Sequence, residues 1–181
     1  MHAMKRTLIG GAVFAVLAWA AWRFSVVGSP PEPAPARPDS VSTGLRAARL
    51  FFASSDGDSL VSESRDLAET GALHERVVSL IGELVRGPHG PAVAALPAGT
   101  SLVHVYLDDQ GLMTLDFSPQ FARSFRGGST AEYMAVASLV RTLAANVPEV
   151  RRVLIESGGQ PLATLGGHVP CDQPFEVQDW P

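Results

Sequence analysis

The sequence predicts an α+β fold. The expected form is a two-layer sandwich of order β-α-β-β-α-β, with two helices on one face of a three- to four-stranded mixed sheet and an N-terminal transmembrane helix ahead of it. Three observations carry this. Two segments repeat apolar residues at helical spacing, a segment between them alternates at period two across a marked turn, and a run of apolar residues behind two cations opens the chain.

In that opening run, Lys5 and Arg6 precede the uncharged stretch from Thr7 to Trp22, which Arg23 closes. A positive end, an apolar stretch and a polar exit form an export signal. A spanning helix needs about 20 apolar residues; Phe24, Val26 and Val27 lengthen the run if Arg23 snorkels to the headgroups. Trp19, Trp22 and Phe24 suit an outer interface. Two outcomes are open: a retained anchor with Lys5 and Arg6 in the cytoplasm, or cleavage after Ala20 at the small-x-small site Ala18-Trp19-Ala20. The bulky Trp19 and the following Trp22-Arg23 favour the anchor. Residues 1–27 are therefore read as the anchor and 28–44 as a linker. Residues 45–176 are read as the folded domain and 177–181 as a tail. Prolines at 30, 31, 33, 35 and 38 favour polyproline II, which at about 3.1 Å per residue spans roughly 50 Å at most.

Within the domain, Arg49 to Ala53 reads as a first strand ending at the turn Asp56-Gly57, with Leu60-Val61 as a short edge segment. From Thr70 the period changes, and Leu73, Val77, Leu80, Ile81 and Leu84 form one helical stripe. Gly87 and Pro88 stop it, the first by adopting the left-handed region and the second by forbidding continuation. After Leu96-Pro97-Ala98-Gly99-Thr100 the period falls to two. Asp108-Asp109-Gln110-Gly111 is a type I turn with a glycine bulge. That register sets Leu107 against Met113, Val105 against Leu115 and Val103 against Phe117 on an apolar face, with Tyr106–Thr114 and His104–Asp116 on the other. Ser129-Thr130-Ala131-Glu132 is a capping box opening a second helix, whose stripe is Tyr133, Val136, Val140, Leu143 and Val147, closed by Pro148. Val153-Leu154-Ile155 is a last strand, and the remainder, with Gly166-Gly167-His168, is loop.

The composition is that of a folding chain, 46% hydrophobic with net charge −4, which excludes general disorder and gives no pull towards nucleic acid. The single cysteine, Cys171, allows no intrachain disulfide and is expected to be buried. No two of the five histidines stand at ligand spacing, and His74-Glu75 lacks the second histidine of a zincin, so no metal site is expected. His104 with Asp116, and Ser118 nearby, is the best catalytic-looking set. It lies on the polar face of a sheet without an oxyanion hole, and a solvated cross-strand pair is the plainer reading. Arg123, Arg126 and Gly127-Gly128-Ser129 precede a helix N-terminus that could hold an anion, but lack the spacing and lysine of a phosphate loop. Arg151-Arg152 reads as a solvated strand end.

Several pieces in fixed order resemble the GerMN domain of sporulation and spore-germination proteins. They are Leu84-Val85-Arg86-Gly87-Pro88, then Leu96-Pro97-Ala98-Gly99-Thr100, then Asp116-Phe117-Ser118 with Phe121. Gly127-Gly128-Ser129 with Glu132 follows, and last comes Thr164-Leu165-Gly166-Gly167-His168, the whole covering residues 48 to 172. The resemblance implies an extracytoplasmic domain with no catalytic residues, similar in fold to the ring-building modules of secretion and sporulation complexes. Its work would be assembly at the cell envelope, linked to peptidoglycan remodelling or germination. The matching residues Gly87, Pro88, Leu96, Pro97, Gly99, Asp116, Phe121, Gly127, Gly128, Ser129, Glu132, Gly166 and Gly167 are mostly turn, cap and loop positions, and carry over as fold determinants. The chain departs from the family pattern in having one copy and no lipobox cysteine.

No catalytic group, cofactor or metal is therefore expected. The expected partners are a membrane through the N-terminal helix, and envelope proteins or further copies of the chain, with peptidoglycan as another candidate. A wall-glycan-binding module would need exposed aromatics on one face, for which Tyr106, Tyr133 and Trp180 are few and scattered. A hydrolase would rest on His104, Asp116 and Ser118.

Overall fold

The structure is a computed structural model and describes residues 44–180. The expected transmembrane helix and the linker up to residue 43 lie outside the described residues. Among the described residues, no helix is long and apolar enough to cross a membrane.

The α+β class and the mixed sheet are as expected, but the strands divide into two sheets. β1 (Leu45–Ala53) pairs antiparallel with β2 (Leu60–Ala68) in a sheet of two. β3 (Leu102–Leu107), β4 (Leu112–Phe117), β5 (Arg152–Ser157) and β6 (Phe175–Glu176) form a second sheet in that order, with β4 and β5 parallel. Three helices connect them: α1 (Leu73–Arg86), the short α2 (Gln120–Ser124) and α3 (Ser129–Asn146). The order is thus β-β-α-β-β-α-α-β-β. β2 is longer than Leu60-Val61 because its stability comes from backbone pairing with β1. Its side chains, from Ser62 to Asp66, are polar and carry no hydrophobic period.

β1 does not join the larger sheet because α3 occupies its second edge. Asn146 accepts the Arg49 N–H through Oδ1 (3.0 Å) and donates through Nδ2 to the Arg49 carbonyl (2.7 Å), mimicking a peptide group of a neighbouring strand. One turn earlier, Thr142 Oγ1 accepts the Phe51 N–H at 3.0 Å. A turn before that, the Ser138 hydroxyl donates to the Phe51 carbonyl at 2.5 Å. Residues four apart share one helix face, so these three side chains form a polar ladder along the strand. The Val93 N–H continues it onto the Ala53 carbonyl at 2.8 Å.

The hairpin follows the expected register at Leu107–Met113, Tyr106–Thr114, Val105–Leu115 and His104–Asp116. A bulge between Leu102 and His104 then sets Leu102, not Val103, against Phe117, and leaves Val103 44% exposed. In the turn, Asp108 Oδ1 accepts the N–H groups of Gln110 and Leu112. Gly111 has φ +82°, and a Cβ there would stand 2.6 Å from the Glu149 carbonyl oxygen. That carbonyl belongs to the approach to β5, so the glycine also sets how closely the two strands begin.

One core fills the space between the sheets and helices. Val77, Leu80, Ile81 and Leu84 of α1 meet Leu50 and Phe52 of β1, together with Met113, Leu115 and Phe117 of β4 and Val153 and Ile155 of β5. Phe121 of α2 stacks on Phe117 with ring centroids 4.4 Å apart. α3 is buried on more of its circumference than a single stripe: Met134 to Val140 are all buried, while Tyr133 points outward. An unbroken core of this kind is what an independently folding domain needs. Cys171 is buried and free, and burial pushes its thiol up to about 11.

Candidate functional site

The glycine-rich segment before α3 and the one near the C-terminus meet around one carboxylate. Glu132 is fully buried. Its Oε1 accepts the N–H groups of Leu165 (2.9 Å) and Gly166 (2.8 Å), and its Oε2 that of His168 (2.8 Å), with His168 Nδ1 at 3.1 Å. Burial alone would raise its pKa, but the N–H groups of Gly166, His168, Val169 and Leu165 outweigh that and hold it below its ordinary value. Glu132 therefore does not close a capping box. Gly128 is the N-cap residue and α3 begins without a side-chain cap, because the buried loop presents several N–H groups where a box would present one.

Phe125 sits inside the same clasp. A Cβ on Gly166 would lie 2.7 Å from Phe125 Cε1, and one on Gly127 would lie 3.0 Å from Phe125 Cζ. The ring, an aromatic that sequence reasoning left out, thus requires Gly166, whereas Gly127 is required first by Ala131, whose Cβ would stand 2.6 Å away, and then by the ring. Elsewhere, Gly99 with φ +81° shapes the turn in which the Thr100 N–H meets the Pro97 carbonyl. Gly87, with φ +89°, caps α1, and its carbonyl accepts Arg65 Nη2 at 2.6 Å. Arg65 also pairs with Glu83 (2.6 Å) and Glu63 (3.0 Å). Glu63 in turn receives the N–H groups of His89 and Gly90, which with Arg65 hold its carboxyl at about 2. Arg65 was invisible in the sequence because a polar edge strand hides which of its side chains turns inward. The ladder Ser138, Thr142, Asn146 did leave a signal, namely polar residues every four positions in an otherwise apolar helix.

Beside the clasp opens a groove of about 610 Å³. One wall is the loop Val93 to Ala98, with Leu96 and Pro97. A second is the β1–β2 turn, and a third is Phe125, Thr130, Ala131 and Met134 at the start of α3. Its surface is largely aliphatic and aromatic, with Asp56 and Arg126 at the rim. Arg126 Nη1 donates to the carbonyls of Arg123 and Phe125, so its guanidinium turns onto its own backbone.

The catalytic-looking set does not assemble. His104 and Asp116 are cross-strand partners without a hydrogen bond between their side chains. Asp116 Oδ1 accepts the Gly159 N–H at 2.9 Å, and Ser118 Oγ accepts a hydrogen bond from Ser101 Oγ at 3.0 Å. The three groups face different partners, and no relay links them. Among the described residues, no group of three His, Cys, Asp or Glu side chains could hold a metal ion.

A family model described as "Germane: Sporulation and spore germination" matches residues 49–163. The chain belongs to this family. Its germane domain also resembles solved structures. The tandem GerMN domains of the sporulation protein GerM from Bacillus subtilis match with TM-score 0.62 and 19% identity, over 75% of this chain and 48% of that one. This chain therefore spans about half of the tandem structure. The first GerMN domain of the same protein matches with TM-score 0.60 and 18% identity, over 74% of this chain and 99% of that one. A putative lipoprotein from Clostridium perfringens matches with TM-score 0.54 and 21% identity, over 75% and 90%. At these identities the likeness is one of fold. No match is found among curated proteins.

Proposed function

We propose that this germane-family chain is a non-catalytic, membrane-anchored, extracytoplasmic protein that serves as an interaction and assembly module of the cell envelope. The process it serves would be sporulation, germination or peptidoglycan remodelling. Residues 1–27 act as the anchor, 28–44 as a semi-rigid spacer and 45–176 as the displayed domain; Val177 and Trp180, expected in a tail, pack against that domain's core.

One observation carries the reading. Residues that bear the family resemblance are committed to packing, Glu132 to a loop, Gly166 to a ring and Gly127 to Ala131 and the same ring, while the concavity beside them is an open, mainly apolar groove without an acid–base pair. Apolar concavities with a polar rim suit docking of a protein segment. The order of the sequence supports the location: two cations, Lys5 and Arg6, precede an apolar run, an arrangement that favours keeping the cations inside. The lipoprotein and sporulation proteins of similar fold agree with an envelope setting.

The experiment has two arms. A reporter joined after Gly44 is expected to be active only outside the cytoplasm and to fractionate with membranes; a cytosolic reporter overturns the location. Thr130→Trp fills the groove from its rim and is expected to abolish envelope crosslinks or self-association while leaving thermal stability unchanged. Unaltered crosslinking in that variant, or turnover of a small molecule by the purified domain, overturns the module reading.

A wall-glycan-binding role has one observation in its favour. Tyr133 and Trp180, distant in sequence, stack with centroids 4.9 Å apart, and Phe175 packs edge-on to Trp180 at 5.2 Å. Sedimentation with insoluble peptidoglycan, lost in Trp180→Ala, would establish that role in place of protein docking.

A further inference from the structure

The β1–β2 hairpin has two faces. One, with Ala48, Leu50 and Phe52, lies in the core. The other carries Leu45, Ala47, Arg49 and Phe51 on β1, with Ser62, Ser64, Asp66 and Ala68 opposite them on β2. Phe51 is half-buried, and the other residues of this face are exposed. Leu45 is 70% exposed there.

Along the α3 side of this face the guanidinium groups gather. Arg49 Cζ lies 5.7 Å and Arg141 Cζ 5.5 Å from the centroid of the same Phe51 ring. Arg151 lines a surface hollow together with Arg141, Val150 and Glu176. None of these three arginines makes an ion pair among the described residues, whose salt bridges involve Arg65, Arg86 and His168. Carboxylates in the neighbourhood are Asp66, opposite Ala47, Glu176, which lines the hollow with Arg151, and Glu149, two residues before Arg151. The setting makes the cluster unusual. Residues 44–180 hold ten arginines and no lysine against sixteen Asp and Glu side chains, yet two of those arginines lie over one ring of this open face and a third lines a hollow with one of them. Two like charges on one ring repel each other, and an external anion would relieve that repulsion.

We propose that this face, with Arg49 and Arg141 as its cationic edge, Arg151 in the hollow beside Arg141, and Leu45 and Phe51 as its apolar contacts, rests on an anionic phospholipid surface. The charge is complementary to acidic headgroups, and the mixture of exposed aliphatic, aromatic and arginine side chains suits the headgroup boundary. The chain path supplies the occupant. Leu45 directly follows the proline-rich linker, so a bilayer held by the apolar run from Thr7 to Trp22 is at most about 50 Å of polyproline chain away. The domain would then lie against the membrane with the groove beside Phe125 left open to a partner. This inference rests on the anchored reading only for the presence of a bilayer within reach.

The test uses residues 41–181, which form a compact unit with a core of their own and omit the apolar run that would bind any bilayer. Co-sedimentation is measured with vesicles of phosphatidylcholine alone and of phosphatidylcholine mixed with phosphatidylglycerol. Binding is expected only to the acidic vesicles, and is expected to weaken as salt rises. Each surface arginine near an anionic membrane contributes about a fivefold increase in partition. Arg49→Gln with Arg141→Gln should therefore weaken binding by roughly 25-fold, while Arg123→Gln with Arg126→Gln, the second of which lines the groove, leaves it unchanged. Both pairs are checked for an unaltered melting temperature. Equal binding to neutral vesicles, absence of binding at low salt, or equal loss in both pairs overturns the proposal. So does a dimer, seen by analytical centrifugation, that the Arg49/Arg141 pair dissolves, since the face would then belong to a second copy. The reporter fusion after Gly44 tests the anchor separately, so the two failures are distinguishable.

Discussion

Replacing Glu132 by Gln isolates the charge of the buried clasp with almost no change in volume. The amide oxygen can still accept the N–H groups of Leu165 and Gly166, but as a neutral acceptor. At the Oε2 position the amide NH₂ now faces the His168 N–H, donor against donor, and the contact to His168 Nδ1 loses its charge. Hydrogen bonds to a charged group contribute about 1.5–3 kcal/mol each, and a buried N–H left unpaired costs about 1–3 kcal/mol. The combined loss is about 3–5 kcal/mol, a large part of the roughly 5–15 kcal/mol that stabilises a typical domain. It corresponds to a melting point lowered by roughly 10–20 °C. The effect must depend on pH with a defined sign. Because folding holds the Glu132 carboxyl below its ordinary value, its contribution is complete above the unfolded pKa and disappears as pH falls through the folded one. Thermal unfolding of Glu132→Gln and wild type at neutral pH and in acid should therefore show a gap that narrows on acidification. Both proteins keep a common acid sensitivity through Glu63, whose carboxyl the His89 and Gly90 N–H groups hold at about 2, and it cancels in the gap. A gap that stays constant across the acid range, or no gap at neutral pH, refutes the assignment of Glu132 as the charged anchor of the loop.

Asn146→Ala leaves the Arg49 N–H and carbonyl without partners and should cost about 2–4 kcal/mol. Native-state hydrogen exchange should show the Arg49 amide opening faster; unchanged protection there would mean that the helix does not hold the strand edge. Gly166→Ala places a methyl 2.7 Å from Phe125 Cε1 and should destabilise by about 1–3 kcal/mol. Phe125→Leu in the same chain should recover part of that loss, and a double-mutant cycle with zero coupling would sever the link between ring and glycine.

Legibility in the sequence followed the physics of each element. The α1 stripe Val77, Leu80, Ile81 and Leu84 and its stop at Gly87-Pro88 were readable because one face meets the core and the other meets water. The β3–β4 hairpin was readable as far as His104, because alternation and turn chemistry agree there. The bulge that turns Val103 outward was not, since the apolar alternation runs on through it. β2 escaped because an edge strand held by backbone pairing needs no hydrophobic period. The capping box misled for a different reason. Ser129 and Glu132 satisfy its spacing, but the pattern contains no information about a loop more than thirty residues later whose N–H groups compete for the same carboxylate. Among the candidate site residues, Gly127, Glu132 and Gly166 could be named one by one as loop and cap positions. That they surround Phe125 beside a groove could not.

By itself the sequence determined everything that depends on near neighbours: the helix and strand periods, the turn at Gly111, the apolar run behind Lys5 and Arg6, and the family. Only the tertiary structure decided which of two partners a group takes when both are chemically suitable. Asn146 pairs with a strand edge instead of solvent, Glu132 with a distant loop instead of its own helix, and β1 with α3 instead of the larger sheet. The reason is common to all three. Local preferences are worth tenths of a kcal/mol to about one, whereas satisfying several buried polar groups at once is worth several. Long-range geometry therefore prevails wherever the two compete.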